Sequence, residues 1–177
     1  MPQAPAAAHR RLHRGGPALR YFLDTEYNGW GGALLSLALV PEDGEELYLT
    51  IECSDPLEPW VERHVIPYLD TVPDPLTAPR VSRDDAAKLV AHYLTGDPDP
   101  VIVADWPEDI GQLAMLLVTG PGLMVDIDVL RFELRTLAGF STAANSKVPH
   151  NALHDARALR DHMIGRDDLF GGGRSHL

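Results

Sequence analysis

Residues 20–30, RYFLDTEYNGW, begin as a strand suited to a protein interior and then depart from it. Tyr21, Phe22 and Leu23 fit a central strand, but Asp24 and Glu26 follow with only Thr25 between them. In a strand, residues two apart point to the same face, about 6.5–7 Å from each other. Two carboxylates are therefore held side by side at the end of a dry run. Like charges at that spacing repel, and burying them unpaired is costly. The rest of the chain has to supply whatever compensates them.

Outward from this stretch, NGWGG is a Gly-rich turn, 33–40 (ALLSLALV) a second strand, and 47–52 (LYLTIE) a third, which makes an antiparallel meander. Residues 59–69 suit a helix, and 82–94 a second one with Ser82 as its N-cap. A strand at 100–105, a helix at 108–118, a strand at 122–127 and a helix at 128–139 follow in alternation. The last helix is expected over 151–164, after the loop STAANSKVP. Three strands followed by alternating elements predict an α/β fold: one mixed five-stranded sheet, the meander plus two parallel strands, flanked by helices.

The chain of 177 residues suits one domain, expected over 20–166, between a basic tail (1–19) and a Gly-rich tail (167–177). Its net charge is −11, although the first twenty residues hold Arg10, Arg11, Arg14 and Arg20 and no acid. An acidic body argues against a broad basic surface for gripping long duplex DNA. No apolar run approaches the ~20 residues that span a bilayer. A lone cysteine, Cys53, leaves no internal disulfide or thiolate cluster, so a reducing cytoplasmic setting is expected.

Two more acids stand where apolar residues belong. At about 100° per residue, Asp109 lies within ~40° of Leu113 and ~20° of Leu116, on the stripe that should face the sheet. In the last helix, Asp155 lies about 40° from Leu159 and 60° from Ala152. The helix dipole favours an acid in the first turns by only about 0.3–1 kcal/mol, less than an unpaired buried carboxylate costs. Each acid alone also has a plain explanation. Asp24 and Glu26 could stand in water beyond the sheet, Asp109 could be a helix-start acid, and Asp155 could pair with Arg157, Arg160 or His154. Together they share one end of the sheet, and four carboxylates without a basic cluster suit hard divalent cations. Two Mg²⁺ or Mn²⁺ ions about 3.5–4 Å apart in such a pocket are the arrangement for phosphodiester cleavage. His150, five residues ahead of Asp155 in PHNALHD, is placed to act as the base, with an unperturbed pKa near 6.5.

These residues resemble the DEDDh class of 3′-to-5′ exonucleases, the DnaQ-like group on the ribonuclease-H-like fold, from Arg20 to about Ile164. The first motif is Asp24-Thr25-Glu26. The second is Asp109 with Leu113 four residues on. The third, H-x4-D, is His150 through Asp155, and Asn151 stands where the related branch has Tyr. The resemblance implies that Asp24, Glu26, Asp109 and Asp155 bind two metal ions and that His150 is the general base. It further implies release of nucleoside 5′-monophosphates from single-stranded 3′ ends, RNA before DNA, and a possible homodimer. Asp105 stands where the family often has Asn and is an alternative ligand, and Glu108 replaces a frequent Phe.

Tyr27, Asn28 and Trp30, on the turn beside the site, are candidates for holding the terminal nucleotide, although Trp30 could equally pack under the turn. Trp106 is either a lid residue or part of the core. Two other functions stay open: a nucleic-acid-binding protein that keeps the fold without catalysis, and a nuclease of the same fold that cuts internally.

Overall fold

A computed structural model describes residues 18–171, with side chains through residue 167. The expected tails fall mostly outside these residues. The central strand is β1 (Arg20–Tyr27). β2 (Leu34–Pro41) runs antiparallel to it, with Asp24 opposite Ala38 and Glu26 opposite Ser36, and β3 (Leu47–Thr50) runs antiparallel to β2. There follow α1 (Pro59–His64), 3-10 turns at Ile66–Tyr68 and Asp74–Leu76, and α2 (Arg83–Leu94). β4 (Val101–Ala104) returns parallel to β1 and leads into α3 (Pro107–Leu117). A small hairpin of β5 (Val118–Gly120) and β6 (Leu123–Met124) stands apart from the main sheet. β7 (Arg131–Leu134) adds in parallel to β4, and α4 (Thr142–Asn145) and α5 (Ala152–Gly171) complete the described residues. The sheet order is β3-β2-β1-β4-β7.

Side-chain alternation along β1 divides the core into two layers. Tyr21 and Leu23 face α2 and α3, packing with Ala87, Val90, Leu113 and Leu116. Phe22 faces the other way, onto Leu159 and Met163 of α5. Ala38, Val40 and Tyr48 of the neighbouring strands meet Ala152, Leu153 and Ala156 on the same side. Asp24 and Glu26 continue the Phe22 row, so they face α5, while Thr25 faces α3. Among the described residues no helix is long and apolar enough to cross a membrane.

Three expected elements differ. The helix expected over 59–69 ends at His64, because Pro67 cannot donate to the helical ladder and Ile66–Tyr68 tightens to a 3-10 turn. The strand expected over 122–127 shrinks to the two residues of β6. The helix expected over 128–139 contains the fifth strand of the sheet instead. Arg131 to Arg135 alternates polar and apolar with a period of two, and Arg131 pairs through Nε and Nη2 with Asp99 (2.8 and 2.7 Å) at the entry to β4. As an edge strand β7 leaves Phe132 and Leu134 partly in water, which weakens the pattern by which strands are recognised. At the C-terminal end, α5 runs on to Gly171, past the expected domain limit at 166.

Leu159 is fully buried between α5 and the sheet. Leu159→Ala should therefore lower unfolding free energy by about 2–5 kcal/mol in a urea titration. A loss below ~1 kcal/mol would show that α5 is not packed as described.

Candidate metal centre

The carboxylates of Asp24, Glu26 and Asp155 each bring one oxygen within 4.8 Å of the others. All three side chains are buried, at 8%, 9% and 4% exposure. The sequence puts them there in two steps. The alternation of β1 turns Asp24 and Glu26 toward α5, and the inward stripe of α5 that buries Ala152, Ala156 and Leu159 also carries Asp155. Standing beyond the sheet in water is excluded for Asp24 and Glu26. Pairing with Arg157 or Arg160 is excluded for Asp155, because both arginines bind Glu46.

The start of α5 is fixed by Asn151, itself fully buried. Its Oδ1 accepts the backbone N–H groups of Leu153 (3.1 Å) and His154 (3.4 Å), a helix cap, while its Nδ2 donates to the Tyr68 carbonyl at 2.7 Å. Just ahead, His150 takes a left-handed backbone conformation (φ 63°) and points its N–H at Asp155 Oδ2, 3.1 Å away. Asp155 Oδ1 is buried without any hydrogen-bond partner among the described residues. An ionised oxygen left bare in a dry space lacks the partner that would make it affordable, and a cation supplies one.

Asp109 approaches from the opposite face. Its Oδ1 accepts both the backbone N–H of Thr25 (3.1 Å) and its hydroxyl (2.6 Å). It is therefore tied to β1 between Asp24 and Glu26, while its oxygens stay outside the converging group. Thr25 was not singled out in the sequence. The signal was there: alternation turns it toward α3, where Asp109 sits. Asp105, partly buried at the end of β4, contributes no oxygen to the group, but its charge acts on Asp24, Asp109 and Asp155.

Burial is the largest force on all four acids. It raises Asp24 well above the usual carboxylate range, reinforced by the charges of Asp109, Glu26, Asp155 and Asp105. Burial, then Asp155 and Asp109, push Glu26 to about 8. Asp109 rises to about 7 although Thr25 opposes the shift, and Asp155 to about 6 against hydrogen bonds from Ser146 and the His150 backbone. His150 moves the other way, lowered by burial and then by the nearby His64. Oxygen donors only, a bare buried oxygen and mutual repulsion together fit a hard cation: this acidic triad could hold a metal ion.

Around the triad stands an aromatic rim. The His150 ring meets the edge of Trp60 (centroids 5.0 Å apart), and Trp60 lies 4.9 Å from His64 on the same helix. The i, i+4 spacing of Trp60 and His64 was legible but unused. On the β1–β2 turn, Trp30 is 94% exposed, which rules out packing beneath it. Trp106 is also largely exposed, and burial and then the neighbouring Glu108 push the Tyr27 hydroxyl's pKa up. Glu108 further accepts the Gly31 N–H at 2.8 Å, and Gln112 donates to the Gly32 carbonyl at 3.1 Å, so α3 holds the turn in place. Gly32 is obligatory there, since a Cβ would lie 1.9 Å from the Asn28 carbonyl oxygen. Both ends of the Asn28 amide bond within the protein: Nδ2 donates to the Pro56 carbonyl (2.9 Å) and Oδ1 accepts the Glu58 N–H (2.8 Å).

No protein-family model matches the chain, and no curated protein sequence matches it.

The raised carboxylate pKa values set a pH dependence. Between about pH 4 and pH 8 the folded state holds protons that the unfolded chain has released, so stability is greatest at the acid end and falls as pH rises through 6, 7 and 8. In EDTA the melting temperature should drop by ~5 °C or more from pH 5 to pH 8, given about 2–4 °C per kcal/mol at this size. Asp24→Asn should flatten that slope. A melting temperature constant across the range would contradict the burial of these charges.

Proposed function

We propose that the protein is a metal-dependent 3′-to-5′ exonuclease of the DEDDh pattern on a ribonuclease-H-like sheet. Its substrate is the 3′ end of single-stranded RNA or DNA, with RNA favoured, and its products are nucleoside 5′-monophosphates. The observation that carries this is the convergence of Asp24, Glu26 and Asp155 around the unpartnered Oδ1 of Asp155, at the end of a sheet ordered β3-β2-β1-β4-β7.

Asp24, Glu26, Asp109 and Asp155 would hold two Mg²⁺ or Mn²⁺ ions. When bound, these would acidify a water molecule and neutralise the charge gathering on the phosphate. The remaining steps belong to the chain. Thr25 fixes one oxygen of Asp109 and leaves the other for the centre. His150, with its pKa lowered, is neutral at physiological pH, and a free imidazole nitrogen can accept the proton of the attacking water. The segment that carries His150 is anchored to Asp155 by its backbone, so base and ligand move together. Trp30 on its latched turn offers a face for the terminal base, a contact worth roughly 1–3 kcal/mol.

The test uses 5′-labelled single-stranded RNA and DNA of one sequence with Mn²⁺, Mg²⁺ or EDTA. A ladder that shortens from the 3′ end, lost in EDTA and in Asp24→Ala, is expected. Neither strand shortening with either metal would sink the proposal, and a switch to internal fragments would replace it with an endonuclease. His150→Ala should lower kcat by about 10²–10⁴-fold with Mn²⁺ binding retained. Trp30→Ala should raise KM by about fivefold or more while kcat stays near wild type.

A further inference from the structure

A polar cavity, about 320 Å³ in volume, lies on the outer flank of α5. Its size falls within the roughly 300–1,000 Å³ of small-ligand clefts. Glu46, Lys147, His154, Arg157, Arg160 and Asp161 line it. Three cations thus face two acids, in a protein whose net charge is −11. None of the metal-centre carboxylates contributes to its wall.

The two acids act as supports for the arginines. Arg157 spends Nε and Nη2 on Glu46 (2.8 and 2.5 Å), and among the described residues no hydrogen bond occupies its Nη1. Arg160 directs Nε to Asp161 (2.9 Å) and Nη1 to Glu46 (3.4 Å). Both arginine side chains are about three-quarters buried and held in place, so an arriving anion meets donors that have already lost their side-chain freedom. His154 is fixed by its contact with the Thr71 carbonyl at 3.0 Å. Lys147 makes no ion pair among the described residues and completes the rim from the loop that leads to His150.

We propose that this cavity binds a phosphate group. Planar, buttressed guanidinium groups with an unpaired ammonium beside them match phosphate oxygens better than they match a carboxylate already supplied by the protein. His154 and Asp155 are adjacent on α5, about 100° apart around the helix, so one turn serves both the cavity and the metal centre. Two sources share this chemistry: the backbone of a strand whose 3′ end lies in the metal centre, and a free nucleoside monophosphate. The first rests on the exonuclease reading, the second does not.

The test is an amide-shift titration of the whole ¹⁵N-labelled protein in EDTA, which prevents hydrolysis. Inorganic phosphate, a nucleoside 5′-monophosphate, the bare nucleoside, a dinucleotide and a longer single strand are added in turn. Phosphate and monophosphate should shift the amides of Lys147, His154 and Ala158, while the nucleoside should not. Lys147→Glu, an exposed change outside the catalytic machinery, should weaken these shifts by about tenfold or more. Tighter binding of the longer strand than of the dinucleotide, abolished by Lys147→Glu, assigns the site to the strand backbone. Equal binding of both strands, with the monophosphate still sensitive to Lys147→Glu, assigns it to a free nucleotide. Because no cleavage is measured, failure of the exonuclease reading leaves these titrations intact. Absence of shifts with phosphate, or shifts unchanged in Lys147→Glu, would overturn the proposal.

Discussion

Asp24, Glu26, Asp109 and Asp155 place like charges in a space from which the surrounding core excludes water. Burial alone raises the pKa of each, the charges of their neighbours raise Asp24 and Glu26 further, and among the described residues no arginine or lysine pairs with them. The fold tolerates this because Phe22, Leu23 and Leu159 bury enough apolar surface around the end of β1 to hold the backbone there regardless. Stability is thus concentrated in the core, and the acidic end is left in deficit until a cation or protons arrive. Such local conflict in an otherwise consistent sequence is expected where a protein performs chemistry.

The positions of the acids depend on small polar anchors. Thr25 ties Asp109 to the central strand, so the α3 face and the α5 face of the sheet share one charge cluster. Asn151 joins the cap of α5 to the Tyr68 carbonyl, and Tyr48 donates to the adjacent Leu69 carbonyl at 2.7 Å. The turn at 66–69 is therefore part of the scaffold for Asp155 and His150. Asn28 does the same for the loop at 56–58, which leads into α1 and Trp60.

The central part of this arrangement was legible because it follows from periodicity. An apolar run interrupted by D-x-E marks β1, and acids on the inward stripe mark α3 and α5 before any contact is known. The anchors were not legible in the same way. Asn28 looked like a ligand-binding residue because it is polar and beside the site, but its partners lie some thirty positions along the chain. β7 was hidden because Val129, Leu130, Phe132, Leu134 and Leu137 satisfy a helical repeat as well as a short alternation. Pairing with β4, a tertiary contact, decided between them.

An acidic body also shapes how a polyanion could reach the centre. Long-range attraction is unfavourable at a net charge of −11, so capture has to rely on short-range contacts. In the proposed exonuclease, the exposed faces of Trp30, Trp60 and Trp106 would supply contacts that ignore charge and require unstacked bases. A duplex offers such faces only at its ends, whereas a single strand offers them throughout. The cations lining the flank of α5 are a local exception, too few to grip a duplex, and under the phosphate proposal they would orient a single phosphate. Selection for loose ends would then follow from what the surface withholds: a strand that cannot unstack finds no contact strong enough to offset repulsion by the body of the protein.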